Sequence, residues 1–264
     1  ILTQQRRNMQ LIRFCLMVIA LSLSSQVKAM SDEALFKHAK LAYSNKNAQA
    51  LADDVNQLKN QQYLLAPYAD YWLMLLKLEQ VRDEEVQNFL AQYSSMPFSD
   101  RLRGEWLKKL AKQKNWQAFF DEQVFFYGDD KAVQCYALLG HLQLKDLDVT
   151  VPAKAMWLNS SDLPGACTAM FDALQITGAL SEDDIWARLR LALLDGNLPL
   201  AKKIKARLAN VDPIALKWLY RDDLAPQILL EKRTVSFKSR FGVEVNLYAL
   251  DRLARTKLDV AIAT

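Results

Sequence analysis

The sequence predicts an all-α protein, a solenoid of antiparallel helix hairpins, and three observations carry that expectation. Only 7 of the 264 residues are Gly and 7 are Pro, few for a β-rich or loop-rich chain. Strong helix formers such as Leu, Ala, Lys, Gln and Arg fill every segment. Pairs of short amphipathic helices recur at intervals of about 30 to 40 residues, as in solenoids whose hairpins each cover the open face of the next. No strict tetratricopeptide consensus is present, so the repeat is expected in the pattern rather than in the letters. With 51% hydrophobic and 24% charged residues the chain can bury a large core, and nothing suggests disorder.

The chain opens on Ile1, and Met9 is read as the start. Arg13 supplies a positive end, Phe14 to Leu23 an apolar run, and Val27-Lys28-Ala29 small residues before Met30. This is the layout of a secretory signal peptide cleaved between Ala29 and Met30. An apolar run of about ten residues falls short of the roughly 20 that a spanning helix needs. An uncleaved amino-terminal anchor is the alternative. The expected organisation is therefore 1–29, upstream residues and signal, followed by 30–264, an exported helical domain with no stable membrane span.

Export changes the charge argument. The formal charge of +4 includes Arg6, Arg7, Arg13 and Lys28, with no acidic residue before Asp32, so losing those four leaves a neutral chain. A sequence pI near 8.8 then gives no reason to expect a nucleic-acid partner. Lys202, Lys203, Lys205 and Arg207 read as a solvated helix face, with an anionic contact as the alternative.

In chain order, 32–44 and 48–58 read as the first hairpin and 64–79 with 84–93 as the second, ended by Ser94, Ser95 and Pro97. The next pair, 100–114 and 116–126, is separated only by Asn115, and Gly128-Asp129-Asp130 caps the helix carrying Cys135. Ser181 with Asp184 has the form of a capping box. Behind it Ile185, Leu189, Ala192 and Leu193 share one face, with Trp186 on its shoulder, until Gly196 and Asn197 stop the helix. Pro199 suits the first turn of the helix that follows. Segments broken by Pro213 and Pro226, then an irregular link over 234–243, lead to Leu247, Leu250 and Leu253. The end, with Leu258, Val260 and Ile262, has neither cap nor polar closure and reads as cut short.

Of three cysteines, Cys15 lies in the expected signal, leaving Cys135 and Cys167. An even pair in an exported chain favours a disulfide, worth roughly 3 kcal/mol for a loop of this length. Two buried thiols are the alternative. Two Cys with distant His38 and His141 make no zinc spacing, so no metal is expected. No nucleophile elbow, phosphate loop or dinucleotide fingerprint is present, so no cofactor or catalytic residue is assigned. His38 and His141 have no Ser, Cys or Asp at meaningful spacing. Glu182 reads as a first-turn helix residue, and Glu79 and Glu105 as helix surface. Among the aromatics, Tyr68, Trp72 and Trp157 are candidate glycan contacts, since pyranose faces stack on flat rings; core packing is the other reading.

Several motifs carry a resemblance. Ala66-Pro67-Tyr68-Ala69-Asp70-Tyr71-Trp72, Leu110-Ala111 with Asn115-Trp116, and Gln134-Cys135-Tyr136 come first. Trp157-Leu158 precedes Leu163-Pro164-Gly165-Ala166-Cys167, then Asp184-Ile185-Trp186-Ala187-Arg188-Leu189-Arg190-Leu191-Ala192 and Leu250-Asp251-Arg252-Leu253-Ala254-Arg255. In this order and spacing they resemble the amino-terminal part of soluble lytic murein transglycosylases, from about Tyr63 to the end. The resemblance implies a right-handed α-superhelix with the catalytic domain several hundred residues further on. It also implies a periplasmic enzyme that cleaves the bond between N-acetylmuramic acid and N-acetylglucosamine in peptidoglycan, leaving a 1,6-anhydro end. That family's catalytic Glu stands immediately before a Ser, and no Glu here is followed by Ser. The chain alone is expected to be an inactive scaffold whose partners are glycan strands and a catalytic domain lying outside it. A periplasmic helical-repeat module that binds proteins without catalysis is the alternative.

Overall fold

The computed structural model describes residues 30–145, 148–159, 161–209, 211–219 and 226–263. The expected signal, including Met9 and Ala29, lies outside the described residues. Among those residues there are fifteen α-helices and no strand, and no helix is long and apolar enough to cross a membrane. The chain divides into two compact units, Ile1–Tyr93 and Ser94–Thr264, each described by itself.

The first unit holds α1 (Asp32–Ser44), α2 (Ala48–Asn60), α3 (Ala66–Lys77) and α4 (Asp83–Gln92). Ser31 caps α1 by accepting from the Ala34 amide at 3.3 Å, and Asn47 caps α2 by accepting from Ala50 at 3.1 Å. Helices α1, α2 and α3 pack mutually around Leu35, Ala39, Leu51, Val55, Leu58 and Ala69. Burying each of the Leu and Val side chains contributes about 1.5–3 kcal/mol, and this core holds the hairpins together.

The second unit begins with α5 (Phe98–Lys112), α6 (Trp116–Gln123), α7 (Lys131–Leu144), α8 (Thr150–Trp157) and α9 (Ala166–Ile176). It continues with α10 (Glu182–Leu194), α11 (Leu198–Lys205), α12 (Pro213–Leu219), α13 (Pro226–Lys232), α14 (Arg240–Ala254) and α15 (Leu258–Ala263). The hairpin pairs α5/α6 and α10/α11 pack within themselves, α7 packs on α5 and α9, and α14 gathers α10, α12, α13 and α15.

Three hairpin turns are built alike. Lys46, Lys114 and Gly196 take left-handed backbone at φ 56°, 58° and 71°. The following Asn47, Asn115 and Asn197 donate their amides to Ala42, Leu110 and Ala192 carbonyls at 2.9, 3.0 and 2.8 Å. Their side chains cap α2, α6 and α11. Four residues on, Leu51, Phe119 and Ala201 are each 0% exposed. The turn closes one helix with a Schellman-type bond and opens the next with a capped first turn. The repeat thus extends to the turn itself, a left-handed residue followed by Asn, with Asn the one letter the three turns share.

Pro213 and Pro226, where the sequence breaks its segments, are the first residues of α12 and α13, a position with no intrahelical N–H partner to lose. One boundary reading changes. The expected link over 234–243 stops earlier: Ser239 accepts from the Gly242 amide at 3.1 Å and starts α14 at Arg240. At the other end Leu258 and Ile262 of α15 are 61% and 78% exposed.

Candidate functional site

The second unit contains an open cavity of about 240 Å³ between α8, α9, α10 and α11. Trp157, Phe171, Leu200 and Ile204 line it together with Arg188, Lys203 and Arg207. Each wall has a local reason to be there. Ser181 and Asp184 form the expected capping box, with Ser181 N 2.8 Å from Asp184 Oδ2 and Asp184 N 3.2 Å from Ser181 Oγ. That start fixes the phase of α10 and turns Arg188 inward. The Asp184 carbonyl accepts from Trp157 Nε1 at 2.8 Å, and its carboxylate meets Lys154 Nζ at 2.9 Å. Burial acts to raise the Asp184 carboxyl, but hydrogen bonds from Ser181 and Lys154 outweigh it and hold the group below the ordinary range.

The Cys135 and Cys167 sulfurs are bonded, with their Cα atoms 4.9 Å apart, a separation that suits a bridge. The link ties α7 to α9, whose Cys167, Thr168 and Phe171 line the cavity. Phe171 meets Trp157 edge-on at 4.7 Å between centroids. Arg188 Cζ lies 4.4 Å from the Trp157 centroid, and Arg207 Cζ 5.5 Å from it.

Arg188 is 4% exposed. Its Nη2 donates to the Ser161 carbonyl at 3.2 Å, while Nε is buried and, among the described residues, has no partner. Burial pushes its guanidinium down to about 10; Asp162 opposes that and Arg207 adds to it, so the group is charged at neutral pH. Asp162, which also lines the cavity, pairs with Lys203 as well, and Asp172 pairs with Arg207 at 2.6 Å.

Of the three candidate aromatics, Trp157 is in this wall but only 2% exposed, with a guanidinium over its ring. Tyr68 and Trp72 lie four residues apart on α3 of the other unit, both partly exposed. Trp72 packs against Phe36 at 5.1 Å and Tyr43 at 5.8 Å between centroids. Glu182 accepts from Trp186 Nε1 at 3.0 Å, and Glu105 from Lys108 Nζ at 2.8 Å. The reading of His38 changes: its Nδ1 sits 2.7 Å from Asp54 Oδ2, a partner 16 residues away that packing of α1 on α2 supplies. His141 packs on Phe120 at 4.3 Å between ring centroids. Among the described residues no three metal-ligating side chains converge.

The sequence reading missed Arg188 as a cavity residue. Lys203 is exposed, as a solvated face expects, but it also lines the open cavity, and Arg207, which lines it too, is only 18% exposed in its side chain; both meet carboxylates, the alternative the sequence left open. Their spacing along 203–207 was the available signal, and only the position of α9 gives it meaning.

No family model matches the chain. The soluble lytic murein transglycosylase of Escherichia coli K12 is 24% identical over 194 residues, 72% of this chain and 30% of that protein. Among solved structures, an inactive mutant of lytic transglycosylase Slt from Pseudomonas aeruginosa aligns with a TM-score of 0.62 at 25% identity, covering 87% of this chain and 37% of that one. The 70-kDa soluble lytic transglycosylase Slt70 of Escherichia coli aligns with a TM-score of 0.63 at 19% identity, covering 88% and 37%. The chain thus spans about a third of the length of the proteins it matches, and the all-α fold expected from its hairpins is theirs. By sequence and by fold, the chain is similar to the soluble lytic murein transglycosylases over most of its own length.

Proposed function

We propose that this chain is the helical scaffold region of a periplasmic lytic transglycosylase. The whole protein cleaves the N-acetylmuramic acid to N-acetylglucosamine bond of peptidoglycan with a 1,6-anhydro product, and the chemistry resides in a domain outside these residues. The observation that carries the reading is agreement of two comparisons: sequence identity over 72% of the chain and fold likeness over 87%, both to proteins named for this activity. The disulfide supports an oxidising compartment, in keeping with a signal cleaved between Ala29 and Met30. Glycan contact is assigned first to Tyr68 and Trp72, whose rings keep part of their surface.

Incubating the purified chain with peptidoglycan sacculi tests this. The expected result is retention on sacculi without release of 1,6-anhydro muropeptides. Release by the chain alone overturns the placement of the chemistry, and failure to be retained overturns the glycan role.

A further inference from the structure

The cavity beside Trp157 has a charge arrangement that its own residues do not complete. A buried guanidinium is costly unless it is paired and hydrogen-bonded. Among the described residues Arg188 makes one hydrogen bond, from Nη2 to a carbonyl, and its enclosed Nε has none. Arg188, Lys203 and Arg207 line the cavity together with one carboxylate, Asp162, which pairs with Lys203 and also acts on Arg188, while Asp172 pairs with Arg207. Three cations against two carboxylates leave a net positive charge here, and Arg188 is the most buried of the three.

We propose that this cavity binds a small carboxylate ligand, the C-terminal residue of a peptide bearing a short apolar side chain. A guanidinium fork matches a carboxylate's two oxygens. That net charge matches a monoanion better than a phosphate dianion. Leu200, Ile204 and Phe171 offer an apolar wall for a side chain. At about 240 Å³ the space suits one terminal residue, since drug-sized pockets run from about 300 to 1,000 Å³. The Arg188 and Trp157 stack holds the guanidinium plane in place before the ligand arrives. The proposal is independent of the glycan reading, because a peptide terminus is a different ligand from a sugar chain.

The test is calorimetric titration of the whole chain with N-acetyl-alanyl-alanine as free acid and as C-terminal amide, with inorganic phosphate as a third probe. The free acid is expected to bind at one site and the amide at least about tenfold more weakly, as loss of a charge-assisted hydrogen bond implies. Arg188→Met is expected to abolish binding of the acid while leaving the melting temperature unchanged or raised, because an apolar isostere relieves a buried unpaired charge. A purely structural arginine would give the opposite, a lowered melting temperature with unchanged binding. If the variant fails to fold, the Arg188 Nε resonance of the unmodified chain decides: the acid, and not the amide, is expected to shift it. Equal binding of acid and amide, no binding of either, tighter binding of phosphate, or an unmoved Nε resonance overturns the proposal.

Discussion

Arg190 of α10 and Glu244 of α14 form a two-pronged pair. Arg190 Nε lies 3.0 Å from Glu244 Oε2 and 3.2 Å from Oε1, and Nη2 completes the fork. The Glu244 carboxylate is 2% exposed and Arg190 is about half exposed, so the arginine serves a buried anion from the solvent side. The hydrogen bonds and charge of Glu244 raise the Arg190 guanidinium further above its ordinary value. Removing the cation strands the carboxylate. Arg190→Ala is therefore expected to destabilise the chain by about 2–4 kcal/mol, while Glu244→Gln costs less because it removes the buried charge itself. Urea unfolding of the two variants checks the order; equal losses would mean that leaving the buried carboxylate without its cation carries no cost beyond loss of the pair.

This pair also explains one sequence motif. Arg188 and Arg190 stand in the same run, Asp184 to Ala192, and sequence could not assign them different tasks. Being two apart, they leave α10 in different directions, one toward α9 and the cavity, the other toward α14. Helix identity was legible because capping residues, apolar period and turn chemistry are local. Asp130, Ser181, Asn115 and Pro199 each act within four residues of themselves. The cavity was not legible, because it depends on bringing 157, 167, 188 and 204 together, a relation set by packing between hairpins rather than by spacing along one. His38 with Asp54 was hidden for the same reason.

Reduction of the Cys135–Cys167 bond opens a loop with a sequence separation of 32. By chain entropy that releases about 3–4 kcal/mol of constraint from the unfolded state. Denaturant midpoints measured with and without a reductant, and for the Cys135→Ser and Cys167→Ser double variant, are expected to fall together. A midpoint that ignores the reductant would mean α7 and α9 are held by packing alone.

Acid weakens the start of α10 in a defined window. Asp184 titrates below its ordinary 3.8 in the folded chain, so as pH falls the unfolded chain takes up the proton first. Its stabilisation is thus complete above about pH 5 and is lost as pH drops through the depressed folded value. Asp184→Ala is expected to cost about 1–2 kcal/mol at neutral pH, from cap and ion pair together. The gap from the unmodified chain should begin to narrow near pH 4 and go on narrowing as pH falls through the depressed folded value. A gap that stays constant from pH 7 to pH 3 would show that the cap, not the charge, accounts for it.

The shared hairpin turns give a prediction with opposite signs at equivalent positions. Lys46 and Lys114 hold left-handed backbone at φ 56° and 58°, where Gly196 stands in the third turn at 71°. A side chain there meets its own carbonyl, a cost of about 1–2 kcal/mol that glycine avoids. Part of the gain from glycine is returned as greater freedom of the unfolded chain. Lys114→Gly is expected to stabilise by about 0.5–1 kcal/mol, with Lys46→Gly behaving alike. Gly196→Ala is expected to destabilise by at least about 1 kcal/mol, since the added Cβ takes the left-handed penalty and comes within 3.3 Å of Arg252 Nη1. Asn115→Ala removes the side-chain cap in the same turn and is expected to cost about 1 kcal/mol. Thermal unfolding of the four variants tests whether the turns are equivalent in energy as they are in geometry. Destabilisation by Lys114→Gly would mean the lysine makes a contact that offsets its strained backbone.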